Sequence, residues 1–183
     1  MEIGLMRETT VTTEALFELA VDAFRMWSEH GLEEPWMKRS LEEFKEAIAS
    51  SEIVVATDTD SMVLLGMHCL RLNTKKKRAY GTYLAVSPKA QRLGIASQMM
   101  AYEKEWLRSV GITHLMGNTA ADAIWAVEWH RKNGYKLIGF KRADANNLNS
   151  YVFRKQLVVW SLYSIGAFCR CRYYYTKLLS VLR

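Results

Sequence analysis

The sequence predicts a mixed α/β (α+β) domain in which helices cover both faces of a central, mostly antiparallel sheet. The main observation is that the hydrophobic periodicity changes repeatedly between strand-like and helical along the chain. Three β-rich runs joined by short turns indicate an antiparallel meander, and the later strands are linked through helical segments that cross over the sheet. Half of the 183 residues are apolar, so one core can form without metals or disulfides.

The first third of the chain is predicted to contain one strand and two helices. Residues 2–7 are expected to form the strand, and Thr13 is expected to cap a helix that ends near His30. A loop follows. A second helix begins at Ser40, because Ser40 and Glu43 occupy the two positions of a capping box.

The meander occupies the centre of the chain, over residues 53–57, 62–72 and 78–86, with turn-forming residues between the runs. The elements that follow are expected to be a helix over 91–110, a strand over 112–118, a helix over 122–132, and strands over 135–141 and 151–155. These elements make residues 1–155 one domain, and residues 156–183 form a tail that we expect to be helical.

The net charge of +6 resides at the end of the chain. Residues 154–183 contain six basic and no acidic residues, so residues 1–153 are neutral. The neutral body argues against a nucleic-acid-binding protein. The tail combines an apolar stretch, too short to span a bilayer, with a basic aromatic one. Taken alone, it leaves three partners open: an anionic membrane surface, the domain or a second subunit, and nucleic acid.

The chain has three cysteines, Cys69, Cys169 and Cys171. Their odd number and the lack of further ligands at metal-binding spacing indicate reduced, structural thiols rather than a zinc site. The first residues lack the basic and apolar regions of a signal peptide. We therefore expect a cytoplasmic protein, which the tail would allow to sit peripherally at the inner face of the membrane.

The most specific signal in the sequence lies in residues 83–97, where a strand enters a tight loop that opens into a long helix. A helix N-terminus offers unpaired backbone N–H groups and partial positive charge to a pyrophosphate. Gly94 and Ala96 are small enough for phosphate oxygens to approach the backbone, while Arg92 and Ser97 add a cation and a hydroxyl. On these residues alone, a plain strand-turn-helix junction remains the alternative.

The spacing Gln91-x-x-Gly94-x-Ala96 resembles the Gln/Arg-x-x-Gly-x-Gly/Ala signature of the GNAT superfamily of acetyl-CoA-dependent N-acetyltransferases. The resemblance implies acetyl-CoA as co-substrate, with no metal. It implies that the pantetheine arm pairs with the strand backbone at Leu84, Ala85 and Val86. It also implies that the pyrophosphate is bound by the signature itself, which comprises Gln91, Arg92, Leu93, Gly94, Ile95, Ala96 and Ser97.

Residues 123–135 resemble a second segment of this family, Asn-x-x-Ala-x-x-Phe-Tyr-Glu-Lys-x-Gly-Phe. Ala126 matches, but Ala123 replaces the asparagine and removes one polar contact to the cofactor. His130 replaces the tyrosine, which is frequently the general acid for the CoA thiolate. The end of a helix favours charged His130, which suits a proton donor, although a surface histidine complementing the helix dipole is equally typical there. The oxyanion is expected to bind the backbone N–H of Val86.

The general base is left open by the sequence, because the central strand lacks the glutamate that many relatives place there. A water held by Thr82 or Tyr80, His114, and the loop residues Glu33 and Glu34 are the candidates. The acceptor, by the same resemblance, lies near the first two helices. Its binding residues are predicted to be Trp27, His30, Glu33, Glu34 and Trp36, where carboxylates and indoles would attract a cationic amine.

These observations together predict transfer of an acetyl group from acetyl-CoA directly to a primary amine. Two alternatives remain at this stage. One is an acyl-CoA-binding or regulatory module of the same fold with weakened catalysis, and the other is a membrane-associated acyltransferase that acts on envelope precursors.

Overall fold

A computed structural model describes residues 1–33, 35–143 and 148–157, without the side chains of Pro35 and Trp36. Its strands and helices follow the predicted order. They are β1 (Glu2–Leu5), α1 (Thr13–Glu29), α2 (Leu41–Ile48), β2 (Glu52–Thr57), β3 (Leu64–Asn73), β4 (Arg78–Val86), α3 (Ile95–Ser109), β5 (His114–Ala120), α4 (Ile124–Lys132), β6 (Lys136–Lys141) and β7 (Ser150–Gln156). Short 3-10 turns occupy Met6–Glu8, Pro35–Lys38 and Pro88–Ala90.

The seven strands form one sheet in the order β1-β2-β3-β4-β5-β7-β6. All neighbours are antiparallel except β4 and β5, which are parallel. The predicted mixed, mostly antiparallel sheet is therefore confirmed. The β4–β5 pairing ends after Tyr80 and Met116, although both strands continue. Beyond this point the centre of the sheet is open.

Two hydrophobic cores lie on opposite faces of the sheet, as the fold class predicts. Helices α1 and α2 pack on one face, where Leu16 and Phe44 contact β3 through Met67. Helices α3 and α4 cover the other face. Leu107 and Phe153, both fully buried, lie at the centre of that second core.

The capping box of α2 is confirmed, since the Ser40 hydroxyl accepts from the Glu43 N–H and the Glu43 carboxylate accepts from the Ser40 N–H. The predicted cap of α1 was wrong by one residue. Thr12 is the N-cap, and its hydroxyl accepts from the Ala15 N–H at 3.3 Å. Two adjacent threonines can each cap a helix, so the sequence pattern does not choose between them.

Helix α3 was predicted to begin at residue 91, but it begins at Ile95. Residues 88–90 form a 3-10 turn, and Arg92 and Gly94 then adopt left-handed backbone angles, with φ of 65° and 78°. A left-handed residue interrupts an α-helix, so α3 starts only after Gly94. The loop before α3 is consequently longer than the periodicity indicated.

The last strand extends slightly beyond the predicted domain limit of residue 155. It ends at Gln156, and Leu157 is 2% exposed within the second core. The predictions for the remainder of the tail, including Cys169 and Cys171, lie outside the described residues. Among the helices that the structure does describe, none is long and apolar enough to cross a membrane.

Phe153 allows a direct test of the second core. Replacing it with alanine removes a fully buried ring and leaves a cavity, so we expect the free energy of unfolding to fall by about 3–5 kcal/mol. Phe140 on β6 is 53% exposed, so Phe140→Ala should lower the free energy of unfolding by less than about 1 kcal/mol. Denaturant unfolding measures both, and equal losses would contradict the burial of Phe153.

Candidate active site

A cleft opens where β4 and β5 separate, and it passes between the two faces of the sheet. It has a volume of about 810 Å³ and is lined by both strands, the start of α3, α4 and part of α1. Two arginines, Arg39 and Arg92, contribute to its walls, whereas none of the described lining residues carries a carboxylate. The cleft is therefore large enough for an elongated ligand and favours an anionic one.

One end of the cleft is formed by the N-terminus of α3. Gly94 is the N-cap and contributes no side-chain hydrogen bond, and the first helical bond runs from the Gln98 N–H to the Gly94 oxygen at 3.0 Å. The N–H groups of the first turn are thus available to a ligand. Left-handed residues next to such a terminus form a concave anion site, which Arg92 and Gly94 provide here. This geometry fits a pyrophosphate.

Most of the residues predicted to bind the cofactor line this cleft. Residues 84–86 on β4 do so, as do residues 91–97 apart from Leu93. The Gln91 side-chain amide donates to the Val86 oxygen at 3.4 Å and so ties the loop to the end of the strand. Leu93 is the exception, because its side chain is 69% exposed and lies outside the lining.

The second predicted segment divides between cleft and core. Ala126 and His130 line the cleft. Ala123 is fully buried at the start of α4 and packs with Leu32 and Ala120 instead. Its side chain therefore contributes to packing and does not reach the cleft.

His130 is more buried than its place in the last turn of a helix suggested. Its Nδ1–H donates to the Ala126 oxygen at 2.7 Å, and its ring stacks on Phe153 with centroids 4.6 Å apart. Burial lowers the pKa of His130, which opposes the charged form that we expected the helix end to favour. Because Nδ1 donates, Nε2 carries the lone pair, and it lies 3.4 Å from the position that a Cβ on Gly117 would take.

Part of the cleft wall is aromatic. Trp27, which was predicted, lines it together with Phe24 and Trp125. The Trp27 and Trp125 rings are edge-to-face with centroids 6.2 Å apart. Trp125 was missed by sequence reasoning, because one tryptophan in an amphipathic helix is equally consistent with a core position.

The other predicted acceptor residues are not brought into this cleft. His30 donates to the Met26 oxygen at 2.7 Å and packs against Trp125. Glu33 lies by a separate, smaller pocket, where its carboxylate pairs with Lys38 at 2.7 Å. Glu34 and the side chain of Trp36 fall outside the described residues.

The candidates for the general base separate in the same way. Thr82 lines the cleft, whereas Tyr80 and His114 do not. His114 instead contacts the hydroxyl of Thr113 at 2.8 Å. Thr119 on β5 was not considered, yet its hydroxyl is buried in the lining and has no hydrogen-bond partner among the described residues. Such an unpaired group fits a cleft that is completed by a ligand.

A buried polar pair under the cleft was also missed. His68 on β3 is 4% exposed, Glu103 on α3 is fully buried, and the His68 Nδ1–H donates to both carboxylate oxygens at 3.0 Å. The sequence did contain a signal. His68 interrupts an apolar strand, and Glu103 falls on the apolar face of α3 between Met99 and Leu107.

Comparison with known proteins agrees with this geometry. The model of the acetyltransferase (GNAT) family matches residues 13–135. The structure is similar to that of the ribosomal-protein-S18-alanine N-acetyltransferase from Escherichia coli, with a TM-score of 0.68 and 13% identity over 87% of this chain and 96% of that chain. A GNAT-family acetyltransferase from Staphylococcus aureus gives a TM-score of 0.64 and 14% identity over 86% and 100%.

A third similar structure contains a ligand. It is the PaiA N-acetyltransferase from Thermoplasma acidophilum in complex with coenzyme A, with a TM-score of 0.64 and 14% identity over 85% of this chain and 99% of that chain. At these identities the likeness establishes the fold alone. No curated protein matches the sequence.

The lowered pKa of His130 predicts a pH dependence of stability. The unfolded ring takes up a proton near its ordinary pKa of 6.5, whereas the folded ring does so only at lower pH, so acid favours unfolding. We expect the unfolding midpoint in denaturant to fall between about pH 7.5 and about pH 5. The fall should be smaller in His130→Gln and unchanged in His30→Gln. An equal fall in all three proteins would show that His130 is not buried in its neutral form.

Proposed function

The chain belongs to the acetyltransferase (GNAT) family, and from this premise we propose that it transfers an acetyl group from acetyl-CoA directly to a primary amine. The observation that carries the proposal is the left-handed loop and uncapped N-terminus of α3 at one end of the cleft. Backbone N–H groups and Arg92 would bind the pyrophosphate there. The open edge of β4 over residues 84–86 would pair with the pantetheine arm.

In the proposed reaction the neutral amine attacks the thioester carbonyl while the backbone N–H of Val86 stabilises the oxyanion. Collapse of the tetrahedral intermediate breaks the C–S bond and releases the CoA thiolate. His130 serves that thiolate. Since its Nδ1–H is held by Ala126 and its Nε2 carries the lone pair, the ring must accept a proton before it can donate one.

The chemistry of the acceptor end suggests a class of amine. Phe24, Trp27 and Trp125 form apolar walls, and Arg39 also lines the cleft. The Arg39 guanidinium donates to the Tyr83 hydroxyl at 2.6 Å. We propose an amine carried on an aromatic or apolar body, because a polycation would find no carboxylate among the described lining residues.

The phosphate site is tested with a glycine pair that shares the same backbone conformation. Gly94 and Gly111 have φ of 78° and 80°, so a leucine strains the backbone equally at either position. Gly94→Leu should weaken CoA binding about tenfold or more, because charge-assisted hydrogen bonds at the loop are lost. Gly111→Leu, after α3, should bind as the wild type does. Calorimetric titration with CoA measures both; equal affinities would exclude this loop as the phosphate site.

The transfer itself is tested by measuring CoA release and N-acetyl product with three amines: 2-phenylethylamine, tryptophan and spermidine. We expect the two aromatic amines to be acetylated at a higher kcat/KM than spermidine, owing to the aromatic walls. A preference for spermidine would contradict the acceptor class. Saturable CoA binding without product from any amine would favour the alternative, a CoA-binding module without turnover.

A further inference from the structure

The carboxylate of Glu103 is an unusual group among the described residues. It is completely buried, and in the described part of the chain no lysine or arginine forms an ion pair with it. Its hydrogen-bond partner is the imidazole of His68, through Nδ1. Burying a carboxylate beside a neutral ring is costly, and the cost is relieved when the ring becomes positively charged. An imidazolium formed on His68 during a reaction would therefore have the Glu103 carboxylate as its counter-charge.

The second ring nitrogen of His68 is the one that faces the cleft. With Nδ1–H committed to Glu103, the proton acceptor of His68 is Nε2. Nε2 lies over Gly81 on β4, only 2.4 Å from where a Cβ would stand, and both residues line the cleft. Hydrogen bonds from the described residues use only Nδ1 of this ring. Gly81 thus provides the space through which Nε2 reaches the cleft.

A second histidine, His130, also lines the cleft. His130 Nε2 sits over Gly117 of β5, as His68 Nε2 sits over Gly81 of β4. The last parallel pair is Tyr80 with Met116, so these two glycines are neighbours one residue further along, where the strands begin to separate. Burial is the main cause of the lowered pKa of His130, and positive charge on His68 lowers this pKa further.

We propose that His68, held by Glu103, is the general base of the reaction, an inference that rests on the proposed function. As the N–C bond forms, Nε2 of His68 takes the proton from the amine nitrogen. The proton passes to Nε2 of His130 and then to the sulfur as the C–S bond breaks. The amine loses one proton, the thiolate gains one, and both rings return to the neutral state. Glu103 is a positioning residue that stabilises the intermediate imidazolium.

The groups facing this pair come from one helix, one loop and one strand. His130 lies on α4, Tyr135 follows α4, and Lys155 lies on β7. The Glu103 charge raises the pKa of Tyr135 further, although burial is the larger cause, so Tyr135 remains a neutral phenol. The Lys155 ammonium lies 5.5 Å from the Tyr135 ring centroid, and its pKa is lowered chiefly by burial. Neither supplies Glu103 with the direct cationic partner that protonated His68 supplies.

Two substitutions and a matched control test the inference on the full-length protein. His68→Gln should lower kcat about 100-fold or more, with KM for acetyl-CoA changed less than about threefold. Glu103→Gln should lower kcat about tenfold and move the acid-side inflection of the kcat profile to lower pH, because the imidazolium loses its counter-charge. Cys69→Ala is the control, since Cys69 is the buried neighbour of His68 on the opposite face of β3. Its kcat should stay within about threefold of wild type.

A second measurement does not depend on the amine. In nitrogen-labelled wild-type protein, NMR should show Nδ1 of His68 protonated and Nε2 unprotonated, with the Nε2 resonance shifting when CoA is added. An Nε2–H tautomer, or an Nε2 that ignores CoA, overturns the inference even if no amine is acetylated. If wild type acetylates an amine and His68→Gln is as active as Cys69→Ala, the proposed function stands and this inference fails.

Discussion

The cleft depends on the separation of β4 from β5, which leaves part of their facing edges without hydrogen bonds to each other. After Tyr80 and Met116 the two strands separate, although both remain in the sheet through their outer neighbours. The separation has a local cause in β4: the register against β3 shifts between Met67 and Cys69, and Tyr83 opposite this shift has φ of 53°. A bulge of this kind bends a strand and increases its twist. The inner edges of both strands are thereby left to a ligand or to water, since buried backbone groups require partners.

The open sheet places different chemistry at each level of the cleft. The α3 N-terminus and Arg92 supply positive charge, and aromatic side chains form another part of the wall. Between them lie two imidazoles in a partly dehydrated setting, where burial keeps His130 neutral. Cationic and N–H groups are thus provided where a phosphate would bind, while the buried carboxylate of Glu103 lies beside the imidazole that would take up a proton.

The sequence was sufficient for the order of elements and the α2 capping box, because each depends on residues close together in the chain. Boundaries failed where two neighbours compete, as Thr12 and Thr13 do, or where left-handed residues such as Arg92 stop a helical period.

The site was predicted least well where it depends on distant residues. The His68–Glu103 pair joins positions 35 residues apart, and periodicity assigns each of them only to a strand or a helix. His130 lines the cleft, but the sequence did not predict that burial lowers its pKa, because its packing against Phe153 depends on β7. Local sequence patterns predict which secondary structure forms. The protonation state of a side chain depends instead on which other side chains the fold packs around it.

The close approach of His68 to Gly81 should couple the evolution of these two positions. A side chain of any size at position 81 would occupy the space of the imidazole, and the glycine would leave a void if position 68 carried a small residue. Each residue therefore restricts which substitutions are tolerated at the other position. In descendants of this protein, glycine at position 81 should accompany histidine at position 68, because the two residues pack together in the folded chain.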